Sequence, residues 1–366
     1  MRLLIGMPDP DSLGGPAACE PPFVAELRRQ GADVEEEIYV YGEKLSHTTL
    51  ADRVDRVVRT ALRLRRKLKS GSFDLLHLNS SFDSRALLRD VATLAIVGRR
   101  ARVFIKFHGS DADLLTTNKP LLKLLVRSVL SRADGIGVLS TEEKWNFIGA
   151  GWEEEKFFLV KNVVSRDFPE RTSEFNSLHG LPAGLPVLLF IARFIPAKGL
   201  LDVITACGLL RNAGTKCVLL CVGDGPARAE AEAEVARLDL GDQVRFTGLL
   251  PEDQTAEFYA NGSIMVLPTY HFEGFPMTVF YAVAAGMPII TTRIRGAADN
   301  LKEPENCLWV EPRNPSMLAE RIAFLLNNQE MREAMSESNK KLARQFSAEL
   351  VTQEYLQAFR TVIDRR

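Results

Sequence analysis

In the stretch FIARFIPAKG a run of apolar residues ends at two cations, with Arg193 at its close and Lys198 in the loop beyond it. Fixed cations at the carboxyl end of a strand are suited to neutralising charge that builds up on a departing diphosphate. Taken alone, the pair reads more readily as solvated surface charge. Further along, LPTYHFEGFPMTVFYAVAAGMPIITT places Glu273, Gly274, Phe275 and Pro276 in a loop ahead of a helix. Proline is tolerated near a helix's first position because its missing N–H would be unpaired there anyway. The N–H groups of Met277 and Thr278, with the helix dipole behind them, then make an anion site that fits a pyrophosphate. An ordinary water-capped helix start has the same sequence. Two cations and a helix N-terminus converging on one place favour a ligand site over either bland reading.

Near the start, MPDPDSLGGPAACEPP carries Gly14, Gly15 and Pro16 ahead of a first helix expected over Phe23–Gln30. Adjacent glycines let backbone approach a ligand and point N–H groups at an anion. The spacing is not GxGxxG, so a dinucleotide fingerprint is absent. His77, in FDLLHLNSS, reads as a packed, hydrogen-bonded strand residue. His47, His179 and His271 are isolated and receive no role. Cys19, Cys207, Cys217, Cys221 and Cys307 never form a CxxC pair, which fits neither a disulfide scaffold nor a zinc site and suits a reducing cytosol.

The elements that hold these residues alternate. Short strands at Arg2–Gly6, Asp33–Val40, Asp74–Leu78, Arg102–Phe107 and Gly135–Leu139 are separated by stretches of helical period, the pattern of a parallel sheet covered on both faces. A polar, Pro- and Gly-containing segment, Asn162–Gly184, reads as a linker. A second series follows, with strands at Pro186–Ala192, Cys217–Val222, Gln243–Phe246, Ser263–Leu267, Pro288–Thr292 and Cys307–Val310. From Ser316 onward only helices are expected. The expectation is an α/β protein of two Rossmann-like domains facing a cleft, 1–165 on the acceptor side and 166–345 binding the nucleotide, with 346–366 a helical tail that returns toward the first domain.

A net charge of −1 over 366 residues argues against a nucleic-acid coat, so no nucleic-acid partner is expected. The opening MRLLIGMPDP is too short an apolar run for a signal peptide, and no run reaches transmembrane length, so the expected location is cytoplasmic. Within Leu50–Lys69, the residues Leu50, Val54, Val57, Ala61, Leu64 and Leu68 form a core-facing stripe at helical spacing. Eight cations, Arg53, Arg56, Arg59, Arg63, Arg65, Arg66, Lys67 and Lys69, fill the rest, and from 53 to 69 only Asp55 opposes them, a net charge of +7. A second basic line runs through Lys119, Lys123 and Arg127. These lines read either as solvated faces or as a dock on the anionic inner face of a membrane.

GGP near the start, HGSD at His108–Asp111, ARFIPAKG, VGDGP at Val222–Pro226, FTG at Phe246–Gly248 and EGFPMTVFYAVAAGMPII together resemble the retaining glycosyltransferases of family four, nucleotide-sugar enzymes of the B-type fold. The resemblance covers nearly the whole chain in order and is strongest over residues 186–326. It implies that Arg193 and Lys198 hold the donor pyrophosphate, with Gly223 of VGDGP in the same site. It implies that Gly14 and Gly15 approach the donor from the opposite domain, that Glu273 with Gly274 meets the sugar hydroxyls, and that His108 sits beside the sugar. The amides of Phe275, Met277 and Thr278, behind Pro276, would cap the phosphates. No metal and no cofactor are implied, the nucleoside-diphosphate sugar being the donor substrate and a saccharide or lipid-linked saccharide the acceptor. One position departs from the family's Glu-x7-Glu motif: eight residues after Glu273 stands Tyr281. A phenol cannot accept two ribose hydroxyls as a carboxylate does, which implies an altered nucleoside pocket. An epimerase or phosphorylase on the same architecture, and a non-catalytic partner subunit, are the alternatives.

Overall fold

Residues 1–10, 12, 14–40 and 49–365 are described in the computed structural model, so His47 lies outside the described residues. Among them the chain forms two six-stranded sheets. The first comprises β1 (Arg2–Pro8), β2 (Asp33–Val40), β3 (Leu75–Phe82), β4 (Arg102–Ser110), β5 (Gly135–Val138) and β6 (Phe157–Leu159). The second comprises β7 (Val187–Ile191), β8 (Val218–Val222), β9 (Val244–Gly248), β10 (Ile264–Leu267), β11 (Ile289–Thr292) and β12 (Leu308–Val310). Every pairing between these strands is parallel. Central strands such as VLLFI and VLLCV are buried along their whole length, which is why they read as unbroken apolar runs rather than alternating ones.

Strand order is β2-β1-β3-β4-β5-β6 in the first sheet and β12-β11-β10-β7-β8-β9 in the second. The winding therefore reverses between β1 and β3 and again between β7 and β10. Loops at the carboxyl ends of strands flanking such a reversal diverge and leave a crevice, the usual ligand position in open α/β sheets. By contacts the chain divides into two units, Met1–Ser165 with Phe272–Phe275 and Phe346–Arg366, and Arg166–His271 with Pro276–Gln345.

Several elements differ from expectation. The first helix starts at Gly15 rather than Phe23 and runs to Arg29 with Pro21 and Pro22 inside it. Burial of Cys19, Glu20, Phe23, Val24 and Leu27 on one face outweighs the two missing backbone donors. Strand β6 was not expected; it has only three residues. The second half of the linker folds, because Phe175 and Leu181 are buried and the ring of Phe175 meets those of His179 and Phe258. In the basic helix Leu50–Ser70 only Thr60, Ala61, Leu64 and Leu68 are buried, whereas Leu50, Val54 and Leu62 are 78%, 55% and 47% exposed. The closing helix Ala348–Asp364 packs in the first unit against Gly15–Arg29, with Phe23 and Tyr355 rings 4.6 Å apart. All five cysteines are buried thiols.

Candidate functional site

In the second unit the two loops at the winding reversal are pinned together. The loop after β7 turns through Pro196–Lys198 and reaches Gly199, whose φ of 78° suits glycine. A Cβ at Gly199 would lie 2.7 Å from the carbonyl oxygen of Pro268, just past β10. The backbone N–H of Tyr270 donates to Ala197 O at 2.8 Å, and Thr269 Oγ1 donates to the same oxygen at 3.2 Å. Lys198, buried at 6% exposure, and the exposed Arg193 are thereby fixed at the carboxyl end of β7. Gly223 follows β8 with φ 136°, and a Cβ there would sit 2.0 Å from Ala192 O. Its role is to let the VGDGP loop press against the Arg193 segment.

Pro276 occupies the N-cap of the helix Met277–Ala284, one position earlier than expected. Its carbonyl accepts from Val279 and Phe280, so the Met277 and Thr278 amides lie ahead of the first intrahelical bond. Tyr281, one turn on, is enclosed at 5% exposure. The guanidinium of Arg166 lies 4.9 Å above its ring, the Tyr259 ring meets it edge-on at 5.9 Å, and its hydroxyl bonds to the Glu252 carboxyl. Burial raises the pKa of Glu252, against the opposing pull of Tyr281 and Arg166. Arg166 and Glu252 were not legible as partners from the sequence, since no spacing links either position to 281.

In the first unit Gly14 is the N-cap of the helix that follows β1, with φ 118° and ψ 178°, and Gly15 is that helix's first residue. One turn on, Glu20 is fully buried and accepts from Lys106 Nζ at 2.6 Å and from Asn79 Nδ2 at 3.0 Å. His108, near the end of β4, meets Asn79 Oδ1 at 2.9 Å and lies 3.7 Å from Glu20. Burial, then Lys106, lower the His108 pKa to about 3 against the pull of Glu20, so the ring is neutral. Sequence reasoning missed Glu20, Asn79 and Lys106. The signal was a lysine inside the apolar strand FIKFHGS, a position that requires a buried carboxylate partner. His77 is packed among Phe23, Phe104, Tyr355 and Phe359, but neither ring nitrogen has a hydrogen-bond partner among the described residues, so the hydrogen-bonded expectation fails.

Glu273, Gly274 and Phe275 group with the first unit by contact. Their segment is seated through two glycines: a Cβ at Gly109 would meet Phe272 O at 3.1 Å, and one at Gly274 would meet Leu139 Cβ at 2.9 Å and Glu143 Oε2 at 2.9 Å. Glu143 is itself buried and accepts from Ser110 Oγ at 2.8 Å and Ser140 Oγ at 3.0 Å. Phe275 closes the seat edge-on to Phe346 at 5.6 Å. His179 sits 3.6 Å from Glu257, and His271 donates its backbone N–H to Thr269; neither joins these clusters. Among the described residues one group, Cys19, Glu20 and His108, has metal-ligand spacing. Its chemistry does not suit a cation: Lys106 occupies Glu20 and burial keeps the Cys19 thiol protonated.

A model of the group 1 glycosyl transferases matches residues 172–342, and one of glycosyltransferase family 4 matches residues 22–168. The 2-deoxystreptamine glucosyltransferase of Streptomyces kanamyceticus is 30% identical over 57% of this chain and 55% of its own length. The N-acetyl-alpha-D-glucosaminyl L-malate synthase of Bacillus anthracis is 24% identical over 78% of this chain and 74% of its own. Among solved structures, Anabaena HepE in complex with UDP and glucose superposes with a TM-score of 0.73 at 18% identity, covering 97% of this chain and 98% of that one, a likeness of fold. The chain spans about half the length of the Streptomyces relative. The two family models match successive parts of the chain and between them most of the sequence, so the chain, with its two Rossmann-like α/β units, is similar to these glycosyltransferases along nearly its whole length.

Proposed function

We propose that the chain moves a sugar from a nucleoside-diphosphate sugar to a hydroxyl acceptor, a glycan or a lipid-linked saccharide, with retention at the anomeric carbon and without a metal. The observation that carries this reading is the fixing of Arg193 and buried Lys198 after β7, tied by Gly199 and Tyr270 to the segment that follows β10. Those cations and the Met277–Thr278 amides match the charge of a diphosphate and stabilise it as it leaves. Glu273 orients the sugar while cationic character develops. The Streptomyces relative, a 2-deoxystreptamine glucosyltransferase, supports the same chemistry.

Enclosure of Tyr281 by Arg166, Tyr259 and Glu252 supports an altered nucleoside pocket in a working enzyme. A thymidine-linked donor, which lacks the 2′-hydroxyl, stands beside uridine- and guanosine-linked ones as a candidate. If the pocket is altered, ribo- and deoxyribonucleoside diphosphates bind within about tenfold of each other, a factor worth roughly 1.4 kcal/mol; a stronger ribose preference contradicts it. For the reaction itself, the test is acceptor-dependent sugar transfer, scored against hydrolysis and epimerisation of the donor, with the anomeric configuration of product read by NMR. Epimerised donor, or inversion, refutes the reading.

The first unit, in the same reading, rests on an anionic membrane surface. Helices Leu50–Ser70, Ser84–Val97 and Pro120–Arg132 pack side by side. They expose Val54, Leu62, Leu88, Leu121 and Leu124 among the exposed cations Arg59, Arg66, Lys69, Lys123 and Arg127. Apolar side chains ringed by cations suit a surface that offers acyl chains beneath phosphate groups. No helix among the described residues is long and apolar enough to cross a membrane.

A further inference from the structure

The hydrogen bonds around Asn79 determine which nitrogen of His108 carries the proton. Asn79 Nδ2 donates to Gly6 O and to Glu20 Oε2, both at 3.0 Å. A backbone carbonyl and a carboxylate can only accept, so the amide cannot be turned round without setting oxygen against two oxygens. Asn79 Oδ1 therefore faces His108 Nε2 at 2.9 Å, and an amide oxygen can only accept. Nε2 must donate. A neutral imidazole has one N–H, which leaves Nδ1 as a bare acceptor. That atom is buried and has no hydrogen-bond partner among the described residues, in a side chain only 11% exposed. A buried acceptor left unsatisfied costs about 1–3 kcal/mol, which a ligand that donates would recover.

The charged groups facing the ring are Lys106 on its own strand, Glu20 on the helix Gly15–Arg29 and His77 on β3. Lys106 and Glu20 cancel as an ion pair at 2.6 Å, so the ring's surroundings carry no net charge. We propose that Glu20 and Asn79 are positioning residues: they hold His108 as the Nε2–H tautomer so that its Nδ1 accepts a hydrogen bond from a hydroxyl of the donor sugar. This rests on the sugar-transfer reading. A lone pair can take an O–H, whereas a phosphate oxygen brings no proton and would be repelled. The first unit thus offers an incoming hydroxyl a neutral acceptor.

The test begins on the ligand-free protein. Long-range 1H–15N correlation spectra should show His108 as the Nε2–H tautomer at pH 6–8 in wild type, and a mixture in Asn79→Leu, which keeps the number of side-chain heavy atoms and leaves Glu20 and Lys106 in place. With UDP-glucose and its monodeoxy analogues as probes, one analogue should lose about tenfold or more in kcat/KM with wild type and about threefold or less with Asn79→Leu. An Nδ1–H tautomer in a wild type that turns over UDP-glucose overturns the positioning role and leaves sugar transfer standing. So does a tautomer unchanged in Asn79→Leu, or an analogue penalty that persists undiminished. An Nε2–H ring that no nucleoside-diphosphate sugar perturbs or reacts with refutes the sugar contact and the transfer reading together.

Discussion

Lys198 is the residue on which the donor reading bears hardest, since a buried lysine is retained only where an anion or a tight partner repays its desolvation. Lys198→Ala should leave the fold intact by circular dichroism and cut turnover by a factor on the order of 10² or more, the scale of losing one group that stabilises transition-state charge. Turnover within a few fold of wild type would show that the cation has no part in the reaction. The two buried histidines make a separate demand. Burial depresses His77 to about 4 and His108 to about 3, below the ordinary 6.5. Below pH 6.5 the unfolded chain therefore binds protons that the folded chain refuses, so stability is full above that pH and falls toward 4. Each ring contributes up to about 1.4 kcal/mol per pH unit. His77→Phe, among four aromatic rings, should roughly halve this part of the slope between pH 6 and 4.5; an unchanged slope would show that His77 takes up a proton in the folded state. Of these residues, Arg193 and Lys198 could be found from the sequence because a strand end precedes them. Glu20 could not, because the prolines beside it disguise a helix as a loop.

Helices explain where the sequence pattern misleads. The stripe Leu50, Val54, Ala61, Leu64 and Leu68 has the period of a core-facing helix, yet its first turns have no neighbour to bury against and only the later turns pack on the sheet. Periodicity reports which residues share a face, not what covers it. Intramolecular pairs also absorb part of the charge: Arg59 lies 2.8 Å from Asp55, and Arg63 lies 2.6 Å from Glu37. The cations to reverse in a membrane test are therefore the exposed Arg66, Lys69, Lys123 and Arg127. Changing all four to Glu should abolish co-sedimentation with phosphatidylserine vesicles while leaving thermal stability within a degree or two. Wild-type binding should also fade as salt shortens the Debye length below about 8 Å. Binding that survives both would mean that the helices are only solvated faces. Gly274 gives an element-level test of the Glu273 segment: the seat on Leu139 and Glu143 has no room for a Cβ. Gly274→Ala should reduce kcat by about tenfold or more with the melting temperature nearly unchanged, and full activity would show that the segment's seating is not needed.

At the scale of the molecule, the α/β order, the two sheets and the helical tail were legible because each strand of a parallel sheet is a short apolar run bounded by turn residues. What the sequence alone could not supply was the strand order, which depends on packing between distant segments and which locates both winding reversals. Those reversals place Gly14 after β1 in one sheet and Arg193 and Lys198 after β7 in the other. The most direct test of the central claim is a thermal-unfolding screen of the purified chain against nucleoside diphosphates and their sugar conjugates, with wild type and Lys198→Ala side by side. A bound ligand at about 100 times its dissociation constant stabilises by about 2.7 kcal/mol. The account requires at least one nucleoside diphosphate to raise the wild-type melting temperature by several degrees without added metal, and the rise to be largely lost in Lys198→Ala. A wild type that no nucleoside diphosphate stabilises, or a rise that the variant keeps in full, would contradict it.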